Sequence, residues 1–201
     1  MDQRTVEWYQ ARLGKATASR FSDIMTKIRS GESAGRRNYR AELVAERLSG
    51  VPSNGFTSAP MQWGIDNEPL ARLEYELQTG NTIEDAFFET HKSLDAGASP
   101  DGYIGDLGLT EIKCPNTATH IETLKTQDVP KQYIPQIQGQ LWITGREWCD
   151  FISFDPRLPA NAQLYIVRVN RDEKYIKDLE EEVTSFLQEV DKEVKFIKEY
   201  K

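Results

Sequence analysis

The last stretch of this sequence constrains its fold most. From about 172 to 200, Leu179, Val183, Phe186, Leu187, Val190, Val194 and Ile197 recur at helical spacing with no glycine or proline between them. That period describes a helix with one apolar stripe. It is acidic where it starts and lysine-rich where it ends, as the helix dipole favours. A one-faced helix this long needs another layer to pack against, which the rest of the chain must supply.

That layer is a sheet. Strand-like segments cluster in the middle, at 82–89, 96–99, 107–114, 148–154 and 163–169, and turn residues from Pro100 to Gly105 suggest a hairpin or meander. Helices are expected over 39–48, 61–78, 118–126 and 133–144. The second carries Ile65, Leu70, Leu73 and Leu77 on or near one face and has Gly80 as its cap. The last accommodates Pro135 in its first turn. Thr17, Ala18 and Ser19 read as a helix entry, with Phe21, Ile24 and Met25 behind it; 29–37 and 51–60 read as loops. The expectation is an α/β domain of two or three layers, with 1–201 as a single domain.

No apolar run is long enough to cross a membrane, and the charged start MDQRTVEWYQ does not read as a signal peptide. Cys114 and Cys149 form no CxxC; they suit a reducing cytoplasm and argue against zinc or iron–sulfur sites. Net charge is −7, yet residues 1–50 carry ten Lys/Arg against six Asp/Glu, while 51–100 carry two against eight. Phosphate contact needs local positive potential, not a basic protein. Glycine-rich nucleotide loops are absent.

The chemistry concentrates in Asp101, nine intervening residues, then Glu111-Ile112-Lys113. On a strand, i and i+2 share a face, so Glu111 and Lys113 project together and Ile112 turns into the core. With Asp101 in the turn of the same hairpin, its carboxylate lies beside Glu111. Two carboxylates plus the Ile112 carbonyl suit a hard cation such as Mg²⁺, with Mn²⁺ able to substitute. A lysine beside it is suited to orient or deprotonate water. Glu-x-Lys on an exposed strand also forms ordinary solvated pairs, and Ser-Pro-Asp-Gly is an ordinary turn.

D-x9-E-x-K resembles the PD-(D/E)xK nuclease superfamily. More specifically, the chain resembles the bacteriophage lambda exonuclease family of alkaline, YqaJ-like exonucleases. The matching stretches are ArgLeuGly at 12–14 with ThrAlaSer at 17–19, TrpGly at 63–64 with Glu68, SerProAspGly at 99–102 and GluIleLysCysPro at 111–115. GlnIleGln at 136–138 with TrpIleThr at 142–144, AspProArg at 155–157 and ArgAspGluLysTyr at 171–175 follow in order. The resemblance implies a restriction-endonuclease-like core: a central mixed β-sheet flanked by helices, with a long C-terminal helix. It implies a 5′→3′ exonuclease on linear double-stranded DNA that releases mononucleotides and leaves a 3′ tail. It further implies a processive homotrimeric ring, a single-strand annealing partner and work in the cytoplasm of a bacterial host.

Residue by residue, the resemblance makes Asp101, Glu111 and the Ile112 carbonyl metal ligands and Lys113 the water-positioning base. Glu68 is a further acid, for a second metal or the water, and Gln136, rather than Gln138, lines the site. Arg12, Ser19 and Ser99 match 5′-phosphate contacts. Arg29 matches an arginine reaching toward DNA, and Arg36, Arg37 and Arg40 add a basic patch. Thr119 stands about where the family has another arginine, with Lys125 as a substitute cation. His91 and His120 read as structural. A structure-specific endonuclease or junction resolvase, and an inactive DNA-end-binding scaffold, stay open as alternatives.

Overall fold

The computed structural model describes residues 3–53 and 58–201; the middle of the expected 51–60 loop, 54–57, lies outside them. Thr5 caps a short helix, α1 (Val6–Arg12), by accepting the Trp8 N–H. β1 (Ala16–Thr17) follows, and a 3₁₀ turn, Ala18–Arg20, leads into α2 (Phe21–Met25). The helix expected from 39 starts earlier, as α3 (Ala34–Ser49), because Ser33 caps it by accepting the Arg36 N–H. It stops at Gly50, which is left-handed at φ 67°. α4 (Ala59–Thr79) has Ser58 as cap, proline in its first turn and Gly80 at its end.

β2 (Glu89–Thr90), β3 (Ala96–Ala98), β4 (Gly102–Ile104) and β5 (Gly108–Lys113) fill the middle. Then come α5 (Thr117–Thr126), α6 (Ile134–Thr144), β6 (Trp148–Phe154), β7 (Leu164–Asn170) and α7 (Glu173–Glu199). The strands form two mixed sheets, ordered β1-β3-β2 and β4-β5-β6-β7. In the larger, β5 and β6 are parallel and each has an antiparallel outer neighbour. A parallel pair needs a crossover, which α5 and α6 provide.

Both faces of β5 are covered. Leu109 packs with Ile137, Leu141 and Phe151 beneath α6, whereas Ile112 packs with Ala71, Tyr75, Ile152 and Phe154 beneath α4. A third cluster joins Leu179, Val183, Phe186 and Val190 of α7 to Tyr39 and Leu43 of α3 and to the small sheet. The apolar stripe of α7 therefore buries as expected, apart from its end, where Ile197 is exposed.

Three expectations need correction. On α4 the buried residues are Ala71 and Tyr75, while Leu70, Leu73 and Leu77 face outward. A polar contact accompanies this orientation: the Tyr75 hydroxyl donates to Asp150 Oδ2 at 2.7 Å, and small Ala71 permits close approach to the sheet. Of the strand expected over 82–89, only a single bridge, Glu84 to Tyr103, and Glu89 at the start of β2 form; the Arg72 guanidinium, from α4, takes the Ile83 carbonyl. The hairpin of the larger sheet is β4–β5, and β3 belongs to the other sheet.

Candidate active site

Asp101 lies at the open end of the β4–β5 hairpin, not in its turn. Gly102 pairs with Thr110, and the Asp101 N–H donates to the Thr110 carbonyl at 3.1 Å, which sets Asp101 across from Glu111. Only glycine fits at 102: a Cβ there would meet Ile83 Cγ2 at 2.1 Å. Asp101 Oδ2 accepts the Ile112 N–H at 2.6 Å.

Glu111 is 1% exposed. Its Oε1 receives the Lys113 ammonium and Gln136 Nε2, the latter at 2.7 Å, and its Oε2 receives Gln140 Nε2 at 2.6 Å. Gln136 and Gln140 are four apart on α6 and so share one face. Gln138 turns away, donating to the Asn170 carbonyl and accepting the Asp172 N–H. Gln140 went unnoticed in the sequence; its i+4 spacing from Gln136 was the available signal. Its Oε1 is buried without a hydrogen-bond partner among the described residues. Lys113 Nζ also lies 5.2 Å from the Tyr133 ring centroid.

Burial raises the Asp101 carboxyl well above the usual range, and the charges of Glu111 and Glu68 add to the effect. Burial alone would lower Lys113, but Glu111 and Asp101 outweigh it and hold the ammonium above its ordinary value. Burial likewise pushes the Cys114 thiol up to about 12, which favours its neutral form. Among the described residues, no three acidic, histidine or cysteine side chains already form a metal cage. The donor chemistry nevertheless fits a hard divalent ion. Burial and the charges of Glu111 and Glu68 disfavour the ionised Asp101 carboxylate, and a bound cation would relieve that repulsion.

One cavity of about 520 Å³ collects Asp101, Glu111, Ile112, Lys113, Glu68 and Gln136, together with Arg12, Ser19 and Ser99. Glu68 reaches it from α4, with Arg4 Nη2 3.2 Å from its Oε2. Ser99 Oγ accepts the Trp8 indole N–H at 2.9 Å. The Arg12 guanidinium lies over the rings of Trp8 at 4.0 Å and Phe88 at 5.7 Å, and donates to Thr17 Oγ1 at 3.3 Å. Burial lowers its pKa. Among the described residues it has no carboxylate partner within ion-pair distance, so it is a desolvated cation facing a cavity. Arg4 was the second residue missed; a lone arginine near the start of a chain has no spacing to flag it.

The other expected residues lie outside this cavity. Arg36 is committed to Glu32, Glu182 and Glu189, and Arg40 to Glu32, Glu189 and Glu193, which ties α3 to α7. Arg29 and Arg37 are exposed. Thr119 and Lys125 sit on α5 and do not line the cavity. His91 Nδ1 accepts the Ser93 and Leu94 N–H groups; His120 is buried against Ser153 Oγ and the Ala162 carbonyl.

A mixed α/β core whose central hairpin presents two carboxylates and an ammonium at a cavity floor belongs to the class of phosphodiester-cleaving enzymes. Comparison with known proteins narrows the class. Residues 7–147, more than half of the chain, match the YqaJ-like viral recombinase domain. The crystal structure of LHK-Exo, an alkaline exonuclease from Laribacter hongkongensis, is 47% identical over 96% of each chain, with a TM-score of 0.91 for its complex with dAMP and 0.90 for its other structure. A phage-related exonuclease from Haemophilus somnus 129PT, 15% identical over 91% of this chain and 96% of its own, shares the fold with a TM-score of 0.72. Protein ExoD of Escherichia coli strain K12 is 30% identical over 63 residues, 31% of this chain and 71% of its own length. The chain belongs to the YqaJ-like viral recombinase family, and its role is that of a nuclease in recombination. Among the described residues no helix is long and apolar enough to cross a membrane.

Proposed function

We propose that this protein, as one domain, is a Mg²⁺-dependent 5′→3′ exonuclease on linear double-stranded DNA. It releases mononucleotides and leaves 3′ single-stranded tails for phage-type homologous recombination. The observation that carries this reading is the shared cavity, which joins a carboxylate–lysine floor to a desolvated arginine and two serines. A 5′-phosphate held by Arg12, Ser19 and Ser99 sets the first phosphodiester over Asp101 and Glu111, which measures off one nucleotide. The mononucleotide dAMP bound to the relative LHK-Exo is consistent with that product.

Asp101, Glu111 and the Ile112 carbonyl would hold the first ion and Glu68 a second. Such ions supply charge neutralisation at the phosphoryl group and a more acidic water. Gln136 and Gln140 fix both oxygens of Glu111, so its geometry is set before substrate arrives. Lys113 Nζ stays an ammonium while both carboxylates are charged, and in that state it donates to water or phosphate. Neutralising the carboxylates leaves burial as the dominant influence and moves Nζ toward the amine that accepts a proton from water. Exposed Arg29 and Arg37 contact the duplex, while Arg36 braces the helix that carries Arg37. Mn²⁺ substitutes for Mg²⁺. The chain works in the host cytoplasm as a homotrimeric ring beside a single-strand annealing protein.

Digestion of a strand-labelled linear duplex, with and without Mg²⁺ and alongside a covalently closed circle, tests the reading. The expected outcome is Mg²⁺-dependent release of mononucleotides from 5′ ends with the circle intact. Loss of the circle would make the protein an endonuclease. Absence of any metal-stimulated release would leave an end-binding scaffold. A monomer by solution mass measurement would remove the ring.

A further inference from the structure

We infer that Arg4 is a specificity-determining residue that binds the 5′-terminal phosphate of the DNA end; this rests on the exonuclease reading. Two arginines, Arg4 and Arg12, line the same cavity as Ser19 and Ser99. Arg12 is packed over two rings and hydrogen-bonded to Thr17, so its guanidinium is positioned but has few free donors. Arg4 is the opposite case. Its side chain is 44% exposed, and its one ion pair among the described residues is a single 3.2 Å contact to Glu68, itself 30% exposed. Such a contact is weak and readily exchanged. A terminal phosphate carries about −1.5 to −2 charges and several acceptor oxygens, and it offers a guanidinium the bidentate geometry that this contact does not supply.

The backbone supports the assignment. Arg4 is left-handed at φ 68°, a conformation uncommon for non-glycine residues. Its neighbours are tied to the catalytic segment. Gln3 Nε2 donates to the Pro100 carbonyl at 3.0 Å, and Trp8, in the first turn of α1, donates to Ser99. Gln3 and Trp8, which bracket Arg4, are thereby tied to Pro100 and Ser99, and the Arg4 side chain lines the cavity. Glu68 and a phosphate compete for the same guanidinium, so capture of a phosphorylated end frees the Glu68 carboxylate.

The test is binding of the full chain in EDTA to two duplexes that differ only in a 5′-phosphate or 5′-hydroxyl, read by fluorescence anisotropy. Wild type is expected to prefer the phosphate by about tenfold or more, one charge-assisted contact's worth. Arg4→Gln should cut that preference to threefold or less with hydroxyl-end affinity unchanged. Arg4→Lys should restore part of it, and Glu68→Gln should strengthen phosphate-end binding. An unaltered preference in Arg4→Gln, an equal loss on both ends, or no preference in wild type overturns the inference, even where Mg²⁺-dependent degradation persists. A preference lost in Arg4→Gln in a protein that hydrolyses nothing would instead uphold Arg4 and sink the exonuclease reading.

Discussion

The two ends of the cavity are built in opposite ways. The acidic floor comes from one hairpin and one helix face, where the strand ladder and two amides hold Glu111. The basic end is assembled from separate pieces: α1, the turn after β1, and the segment before β4. The floor sets the carboxylates of Asp101 and Glu111 beside the Lys113 ammonium, while the basic end holds the Arg12 guanidinium, which has no carboxylate within ion-pair distance among the described residues. The contrast suggests that a nuclease can keep a fixed hydrolytic centre while its choice of DNA end is altered by smaller changes elsewhere.

Four experiments break or sharpen this contrast. Lys113→Ala should lower the single-turnover rate by about 10³-fold, while DNA-end binding by anisotropy stays within about threefold. Comparable loss of both would mean that floor and basic end are not separable.

Asp155 tests whether a fully paired carboxylate outside the cavity behaves unlike Asp101. It is buried; although burial alone would raise it, Arg157 and Thr117 hold its pKa at about 2. A depressed acid contributes stability above its unfolded value near 3.8, and that contribution is lost as pH falls toward about 2. Urea melts of Asp155→Asn should show a deficit of about 2 kcal/mol at neutral pH that closes over this acid window.

Arg12→Ala should reduce the rate ratio between 5′-phosphate and 5′-hydroxyl duplexes by about tenfold, with hydroxyl-end hydrolysis little changed. Equal losses on both substrates would assign Arg12 to general DNA contact. The smallest effect has the reverse sign to Asp155. Asp101 is raised by burial and like charge, so without divalent ions its ionised form opposes folding at neutral pH. Asp101→Asn should be more stable than wild type in EDTA at pH 7, the difference shrinking as pH falls, and inactive when Mg²⁺ is restored. Destabilisation in EDTA would mean that the wild-type carboxylates are already compensated.

The same contrast explains what was legible in the sequence. Glu111 and Lys113 were readable because a strand converts an i, i+2 spacing into a shared face. Trp148–Phe154 was readable because a buried strand is a continuous apolar run. Asp101 was paired with the correct residue but placed in the turn, since spacing does not reveal where a hairpin reverses. Leu70, Leu73 and Leu77 misled because the packed face of α4 is defined by a small residue and a tyrosine bonded to a buried aspartate. Arg12, Ser19 and Ser99 came from resemblance alone, since residues distant in sequence leave no local pattern. Arg36 looked like part of a basic patch until its partners on α7, some 150 positions away, were visible.

The seating of Glu111 on an inner strand, parallel to β6 and covered on both faces, has a further consequence. The Asp101–Glu111–Lys113 cluster should have no melting step of its own, because shifting Glu111 means opening the β5–β6 ladder. α1, none of whose residues is fully buried, should open at lower cost. On gradual warming, discrimination between DNA ends should therefore fade first, and cutting itself should cease only when the whole domain denatures.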